Sequence, residues 1–472
     1  MATQPDSATR PDFGAGGPSD PAAYESAAWN IYDRVVNAAA RNGIGMLFTV
    51  TGPGPLWASS DPSRNDKPWD PSAGDFEQFV TAVGRRYSGT YADEQPVQPP
   101  PPSGLPLPLL GPPPPPPPPP PEILPRVSMW SIWNEPNQPG WLRPQSKGQL
   151  PSSPIMYRAL QDAGYAGLAA SGHGDDTYLL AETAPKGAPT LGERDALRPL
   201  LFIRELYCVD AQLTPYTGQA ATDRGCPADP AGFAAAHPGL FRASGFAHHP
   251  YAFEVAPSTV DPIQDQVTLA VLPRLFDTLD GIFRSYGSNH QLPVWLTEYG
   301  YQTNPPDPID GISLKRQAAY LNQAEYMAYR QPRVRSTAQF LLVDDGPNKD
   351  WPPSHHRYWD GTFQTGLLTE QGKRKNAFAA YRLPIHLSSS RVRRGRTVRL
   401  FGANRPAAGG ALPVNVEFRK RGAASWRVVR RLTTGNARGY VIVKLKARAA
   451  GAYRLAWENG RSRSVSLKLA GG

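Results

Sequence analysis

The sequence predicts an α/β fold: a (β/α)8 TIM-type barrel short of its first two strands, followed by a C-terminal all-β sandwich. Three observations predict it. Helical patterns and short unalternating apolar runs take turns over about 300 residues, the mark of a parallel sheet covered by helices. The residues best suited to chemistry each close one of the apolar runs, as at the C-terminal mouth of a barrel. After Pro384 the pattern changes to short alternating segments separated by Gly, Asn and Pro.

Residues 1–22 are rich in Pro, Gly, Ser and Asp and are expected to be disordered. The barrel is expected over 23–385. Its first element is a helix over Tyr24–Asn42, where Trp29, Tyr32, Val35, Val36 and Ala39 recur at helical spacing, and Gly43 ends it. Strands are expected at Gly45–Val50, Val127–Trp133, Tyr178–Ala181, Ala243–His248, Val294–Leu296 and Ser336–Val343. Helices fall between them at Phe76–Tyr87, Met156–Ala170, Leu197–Tyr207, Thr268–Tyr286 and Leu314–Tyr329. Six strands are two fewer than a closed barrel needs, and the series opens on a helix, so a truncated or mis-started chain is expected.

Between the second helix and the second strand lies a Pro-rich insertion, 95–125, with an unbroken proline run from Pro112 to Pro121. Such a run is extended polyproline II and cannot join a sheet. The connection belongs to the face of a barrel opposite the active one. From 386 to 472 a small sandwich is expected, with strands at Thr397–Phe401, Val414–Arg419, Trp426–Leu432, Tyr440–Leu445 and Tyr453–Trp457.

The net charge of +10 is unevenly placed. Residues 386–472 hold 20 Lys and Arg against 2 Asp and Glu, so the other 30 basic and 38 acidic side chains leave the rest of the chain at −8. An anionic cell-envelope polymer is a partner this basic segment would accept, with a plain solvated surface as the alternative; no nucleic acid is expected. Cys208 and Cys226 fit a local disulfide of an exported protein or two buried thiols. No apolar stretch reaches membrane-spanning length, and no basic-then-apolar leader opens the chain.

Two motifs carry the chemistry. Trp133-Asn134-Glu135-Pro136-Asn137 and Leu296-Thr297-Glu298-Tyr299-Gly300-Tyr301 each follow a buried strand, and their glutamates stand 163 positions apart. Breaking a glycosidic bond needs a proton for the leaving oxygen and an opposing carboxylate for the oxocarbenium charge, which two carboxyl groups supply. A spacing of about 5–5.5 Å gives retention through a covalent intermediate, and wider gaps admit a water and invert. Asn134 is placed to hydrogen-bond a sugar 2-hydroxyl. Glu182 ends another strand and faces the same mouth, to bind a sugar hydroxyl or pair with a cation. Trp141 follows the first motif on a loop; Trp57 is a further aromatic candidate and Trp295 is expected in the core. The Gly172–Asp176 run (GHGDD) is expected to be a loop. There is no GxSxG, P-loop or HExxH pattern, and neither metal nor cofactor is expected.

The two motifs in this order resemble clan A glycoside hydrolases, families 5 and 39 and the cellulase-like actinobacterial proteins among them. The resemblance spans roughly 24–383. It implies that Glu135 is the acid/base on a fourth strand and Glu298 the nucleophile on a seventh, with Asn134 the 2-hydroxyl ligand. It also implies a His and a Tyr after the sixth strand. Ala247-His248-His249-Pro250-Tyr251 fits, with His249 and Tyr251 the better match, Tyr251 beside the nucleophile, and His248 the alternative. The clan's second-strand Arg has no counterpart here, and Asp344 and Asp345 stand where an eighth-strand Trp is usual, Trp351 coming later.

The expected function is retaining hydrolysis of O-glycosidic bonds in an oligo- or polysaccharide, at an extracellular or cell-envelope site. A non-catalytic glycan-binding protein on a degenerate barrel is the alternative, and transglycosylation on the same residues a third.

Overall fold

The computed structural model describes residues 5–93, 122–359, 361–407, 409–458 and 460–470. Six strands form one parallel sheet in chain order: β1 (Leu47–Val50), β2 (Met129–Ile132), β3 (Thr177–Thr183), β4 (Gly245–His248), β5 (Val294–Tyr299) and β6 (Val334–Gln339). The intervening helices are α1 (Ser26–Arg41), α2 (Ala73–Arg86), α3 (Ser153–Ala170), α4 (Pro199–Leu206), α5 (Leu272–Ser285) and α6 (Leu314–Tyr329), with α7 (Asn376–Arg382) after β6. This mixed α/β arrangement, a curled half-barrel sheet, is consistent with the (β/α)8-type barrel short of two strands that the sequence predicts. The last strand differs. Expected at Ser336–Val343, it ends at Gln339, because that side chain donates to the carbonyls of Phe340 and Thr365 and turns the chain out of the sheet. No described helix is long and apolar enough to cross a membrane.

The chain divides into two compact units, Met1–His248 with Leu275–Val294, and His249–Arg274 with Trp295–Gly472. In the first, β1 pairs with β2 over Leu47↔Met129 to Val50↔Ile132, and β2 with β3 from Met129↔Thr177. The strands are apolar on both faces: Trp130, Ile132, Leu179, Leu180 and Phe246 are at most 0 % exposed. Helix α1 turns Trp29, Val36 and Ala39 inwards. It also buries Asp33, whose carboxylate accepts two hydrogen bonds from Arg86 of α2, at 3.1 and 2.8 Å, and one from Tyr87 at 2.9 Å. Arg86 also reaches Asp93 at 3.0 Å, so its charge is fully matched.

Of the N-terminal segment expected to be disordered, residues 5–22 hold no strand, yet Phe13 packs on Tyr24 and Trp57 and Arg10 pairs with Asp75. Of the Pro-rich insertion, 95–121 lie outside the described residues; Ala92–Asp93 and Glu122–Ile123 pair antiparallel at its base. His173 of the Gly172–Asp176 loop is buried, bonding Asp176 at 2.6 Å and the Gly84 carbonyl at 2.9 Å, so both ring nitrogens serve the loop.

Cys208 and Cys226 form a disulfide across a sequence separation of 18. Cross-linking a loop of that length removes chain entropy worth roughly 3 kcal/mol from the unfolded state. The C208S/C226S pair is expected to unfold at lower denaturant by about that amount, and reduction of the native protein should reproduce the shift.

In the second unit, seven main strands make two packed sheets: β7 (Ile385–Leu387), β8 (Thr397–Ala403), β9 (Pro413–Lys420), β10 (Arg427–Thr433), β11 (Tyr440–Lys446), β12 (Gly451–Trp457) and β13 (Val465–Leu469). One sheet is β7–β8–β11; the other runs β13–β12–β9–β10, with Arg391–Val392 paired outside β13. Alternation sends Leu400, Val416, Leu455 and Leu467 into the shared core. Asn322 of α6 ties this module to its own unit, donating to the Ala380 carbonyl and accepting from the Ile385 N–H.

Candidate active site

In the first unit the ends of β2 and β3 carry an unusual backbone. Trp133 (φ 67°), Glu135 (φ 38°), Ala181 (φ 88°) and Glu182 (φ 45°) all lie in the left-handed region without being glycine. Each such residue costs on the order of 1–3 kcal/mol and persists only where its surroundings hold it. Here hydrogen bonds hold them. The Trp133 N–H donates to the Val50 carbonyl at 2.8 Å, and the Glu135 N–H to the Glu182 carbonyl at 2.9 Å. The hydroxyl of Tyr157, from α3, donates to the Ile132 carbonyl at 3.1 Å and accepts the Ala181 N–H at 2.6 Å. Asn137 is fully buried. Its amide donates to the Ala184 and Leu197 carbonyls and its oxygen accepts the Ala184 N–H, locking the loop after β2 to the loop after β3.

The register of β3 against β4 slips between Leu180 and Thr183, a β-bulge that sets Ala181 and Glu182 against one residue of β4. Bulges re-aim side chains, and this one turns Glu182 inwards. Glu182 is 1 % exposed and accepts the Ser131 hydroxyl at 2.5 Å. Glu135 and Asn134 are half-buried, and the Asn134 amide makes no hydrogen bond among the described residues. Trp141 and Trp57 are half-buried on the loops after β2 and β1. A cavity of about 310 Å³ is lined by Trp57, Phe76, Phe79 and Trp133. Gly52 makes room for the Trp133 ring: a Cβ there would stand 2.5 Å from it.

In the second unit Glu298 sits near the end of β5, its side chain 23 % exposed. Its Oε2 accepts the Tyr251 hydroxyl at 2.9 Å and lies 3.6 Å from Nδ1 of the buried His249. Tyr251 is itself held, stacked on Tyr299 (6.2 Å between rings) with Phe340 edge-on at 6.5 Å. Gly300 follows because a Cβ there would collide with the Phe340 carbonyl. Trp295 is half-buried within β5.

The structure therefore brings His249, Tyr251 and Glu298 together, while His248, in the first unit, bonds the Thr183 hydroxyl at 2.9 Å. Asp344 is buried and paired with Lys375 at 2.8 Å, and Asp345 accepts the Phe363 N–H at 3.0 Å. Sequence reasoning missed Tyr157, Ser131 and Asn137 as props of the two strand ends. Asn137 belongs to the quoted motif, but nothing in spacing distinguishes a tyrosine in α3 from core packing.

No family model matches the chain, and no curated protein matches it. Among solved structures the chain is similar to a family 128 endo-β-1,3-glucanase from Amycolatopsis mediterranei, at 17 % identity over 54 % of this chain and 71 % of that one, TM-score 0.27. It is similar to a family 51 α-L-arabinofuranosidase from Bifidobacterium longum, at 12 % identity over 74 % and 66 %, TM-score 0.33. A β-glucuronidase from Ruminococcus gnavus is 12 % identical over 75 % and 45 %, TM-score 0.31.

Proposed function

We propose that the protein hydrolyses O-glycosidic bonds of an oligo- or polysaccharide with retention, Glu298 attacking the anomeric carbon and Glu135 serving as acid and then base. The observation that carries this reading is the setting of Glu298. A carboxylate at a strand end receives a phenol hydrogen bond from Tyr251, which fixes the attacking oxygen. Glu135, presented by a strained loop at another strand end, is the second carboxyl group that the reaction requires. Asn134, with its amide unengaged, is the group we assign to the sugar 2-hydroxyl. The Cys208–Cys226 disulfide supports an exported protein.

The test is reducing-sugar and aryl release over a panel of aryl β-glycosides and plant, fungal and bacterial polysaccharides, comparing wild type with Glu298→Gln. Release by the wild type alone, with the product anomer matching the substrate's by early-time NMR, is the expected result. Inverted product would overturn the retaining step. Glycan binding without turnover, unchanged by Glu135→Gln, would replace hydrolysis by a binding role.

Tyr251 positions the nucleophile. Loss of a hydrogen bond to a charged group costs about 1.5–3 kcal/mol, so Tyr251→Phe should lower kcat roughly 10- to 100-fold with KM little changed.

A further inference from the structure

The cations of the C-terminal module are arranged, not scattered. Of its two acids, Glu417 is taken up by Arg454 at 2.5 Å, and Arg454 also lies over Trp426 with Arg419. Elsewhere like charges face one another. Arg391 is register partner of Lys468, and Arg399 of Lys444. Directly opposed like charges destabilise a sheet. A fold selected for stability alone would put acids into such positions, and only 2 acids are found among the 87 residues from 386 to 472.

The first of these pairs borders a groove of about 700 Å³ at one end of the four-strand sheet. Arg391, Arg419, Lys420, Arg421 and Lys468 line it, and among the described residues no carboxylate does. Between these cations the lining is mostly small, Ala450, Gly451, Ala452 and Ser466 among it. Arg419 of β9 stands opposite Ala452 of β12, which stands opposite Ser466 of β13. Arg391, Lys420, Arg421 and Lys468 are exposed, and their side chains make no hydrogen bond or ion pair among the described residues.

We infer that this groove binds a linear polysaccharide bearing carboxylates, a polyuronate. A lining of small residues accepts sugar rings, while the rim supplies guanidinium forks that match carboxylates in pairs and ammonium groups that add point charge. Single-stranded nucleic acid fits less well, since it is held on free aromatic faces and, among the described residues, no aromatic ring lines the groove. The inference stands apart from hydrolysis, because none of these residues belongs to the candidate active site.

The full chain would be run through native gels containing polygalacturonate, a neutral β-glucan or single-stranded DNA. The wild type is expected to be retarded by polygalacturonate alone and released by 500 mM NaCl, since the contacts are charge pairs. The K420Q/R421Q/K468Q variant should bind at least about 10-fold more weakly. R399Q/K444Q removes like charge from the other sheet and should bind within about twofold of wild type. Circular dichroism checks the folding of each, and the single Lys468→Glu variant serves if the triple one does not fold. Equal retardation of wild type and groove variants, no retardation by polygalacturonate, or tighter binding of DNA would each overturn the assignment.

Discussion

Glu298→Gln should lower turnover about 10⁴-fold or more, the scale on which removal of a covalent nucleophile is felt. That loss corresponds to roughly 5.5 kcal/mol of transition-state stabilisation. The substitution keeps the shape of the side chain and its contact with Tyr251, now amide to phenol, so the fold and glycan binding should survive. What disappears is the charge that opposes the oxocarbenium ion and the oxygen that bonds the anomeric carbon. Glu135→Gln should behave differently. It removes the proton donor, so poor leaving groups suffer by about 10²–10⁴-fold, whereas an activated aryl leaving group needs little protonation and is lost far less in the first step. Initial rates across aryl glycosides of graded leaving-group pKa measure both. A Glu298 variant with wild-type rates, or a Glu135 variant with no leaving-group dependence, would overturn the roles assigned to them.

Much of the fold is legible in the sequence because burial on two faces leaves a plain signal. Met129–Ile132 and Leu179–Ala181 are runs without alternation, and the structure buries them within the parallel sheet. The sandwich strands alternate, and Val398, Leu400, Val414 and Val416 point inwards as that alternation requires. Two sandwich strands are missing from the sequence reading: Val465–Leu469, although it alternates, and Ile385–Leu387, which is too short beside Pro384 to stand out. The site is less legible, for a geometric reason. Period-two counting assumes a regular strand, and the bulge at Ala181–Glu182 breaks it, so the mouth-facing Glu182 of the sequence reading is in fact 1 % exposed and bonded to Ser131. His248 and His249 are neighbours that differ by one step of chain direction; the partners, Thr183 for one and Glu298 for the other, exist only in three dimensions.

Lys375→Met is expected to be the most damaging single change to stability. The side chains of Lys375 and Asp344 are each 1 % exposed, and the ammonium donates to both carboxylate oxygens, at 2.8 and 3.0 Å, and to the Gln364 carbonyl at 2.9 Å. Burial pushes the Asp344 carboxyl above, and the Lys375 amine below, its ordinary value, so desolvation outweighs the attraction and the pair is not itself a large source of stability. Removing one partner is another matter, for it strands a buried carboxylate at a cost of about 3–5 kcal/mol. The pH dependence follows with a definite sign. Burial raises the Asp344 carboxyl above its ordinary value even beside Lys375, and loss of the ammonium removes an influence that lowers it, so in the variant it binds a proton more readily folded than unfolded. Stability is then retained below the unfolded value and lost as pH rises through the folded one. Urea midpoints of Lys375→Met should thus fall furthest behind wild type at pH 7 and recover towards pH 4. The double change K375M/D344L removes the stranded charge but leaves the Gly366 N–H, which Asp344 accepts at 2.8 Å, without that acceptor, and leaves the Gln364 carbonyl with the Thr303 hydroxyl at 3.1 Å in place of two donors. It should regain part of the loss and show no such pH dependence. A single variant as stable as wild type at pH 7, or a deficit that does not change between pH 7 and 4, would mean that water reaches Asp344 and that the pair is not sealed in the interior.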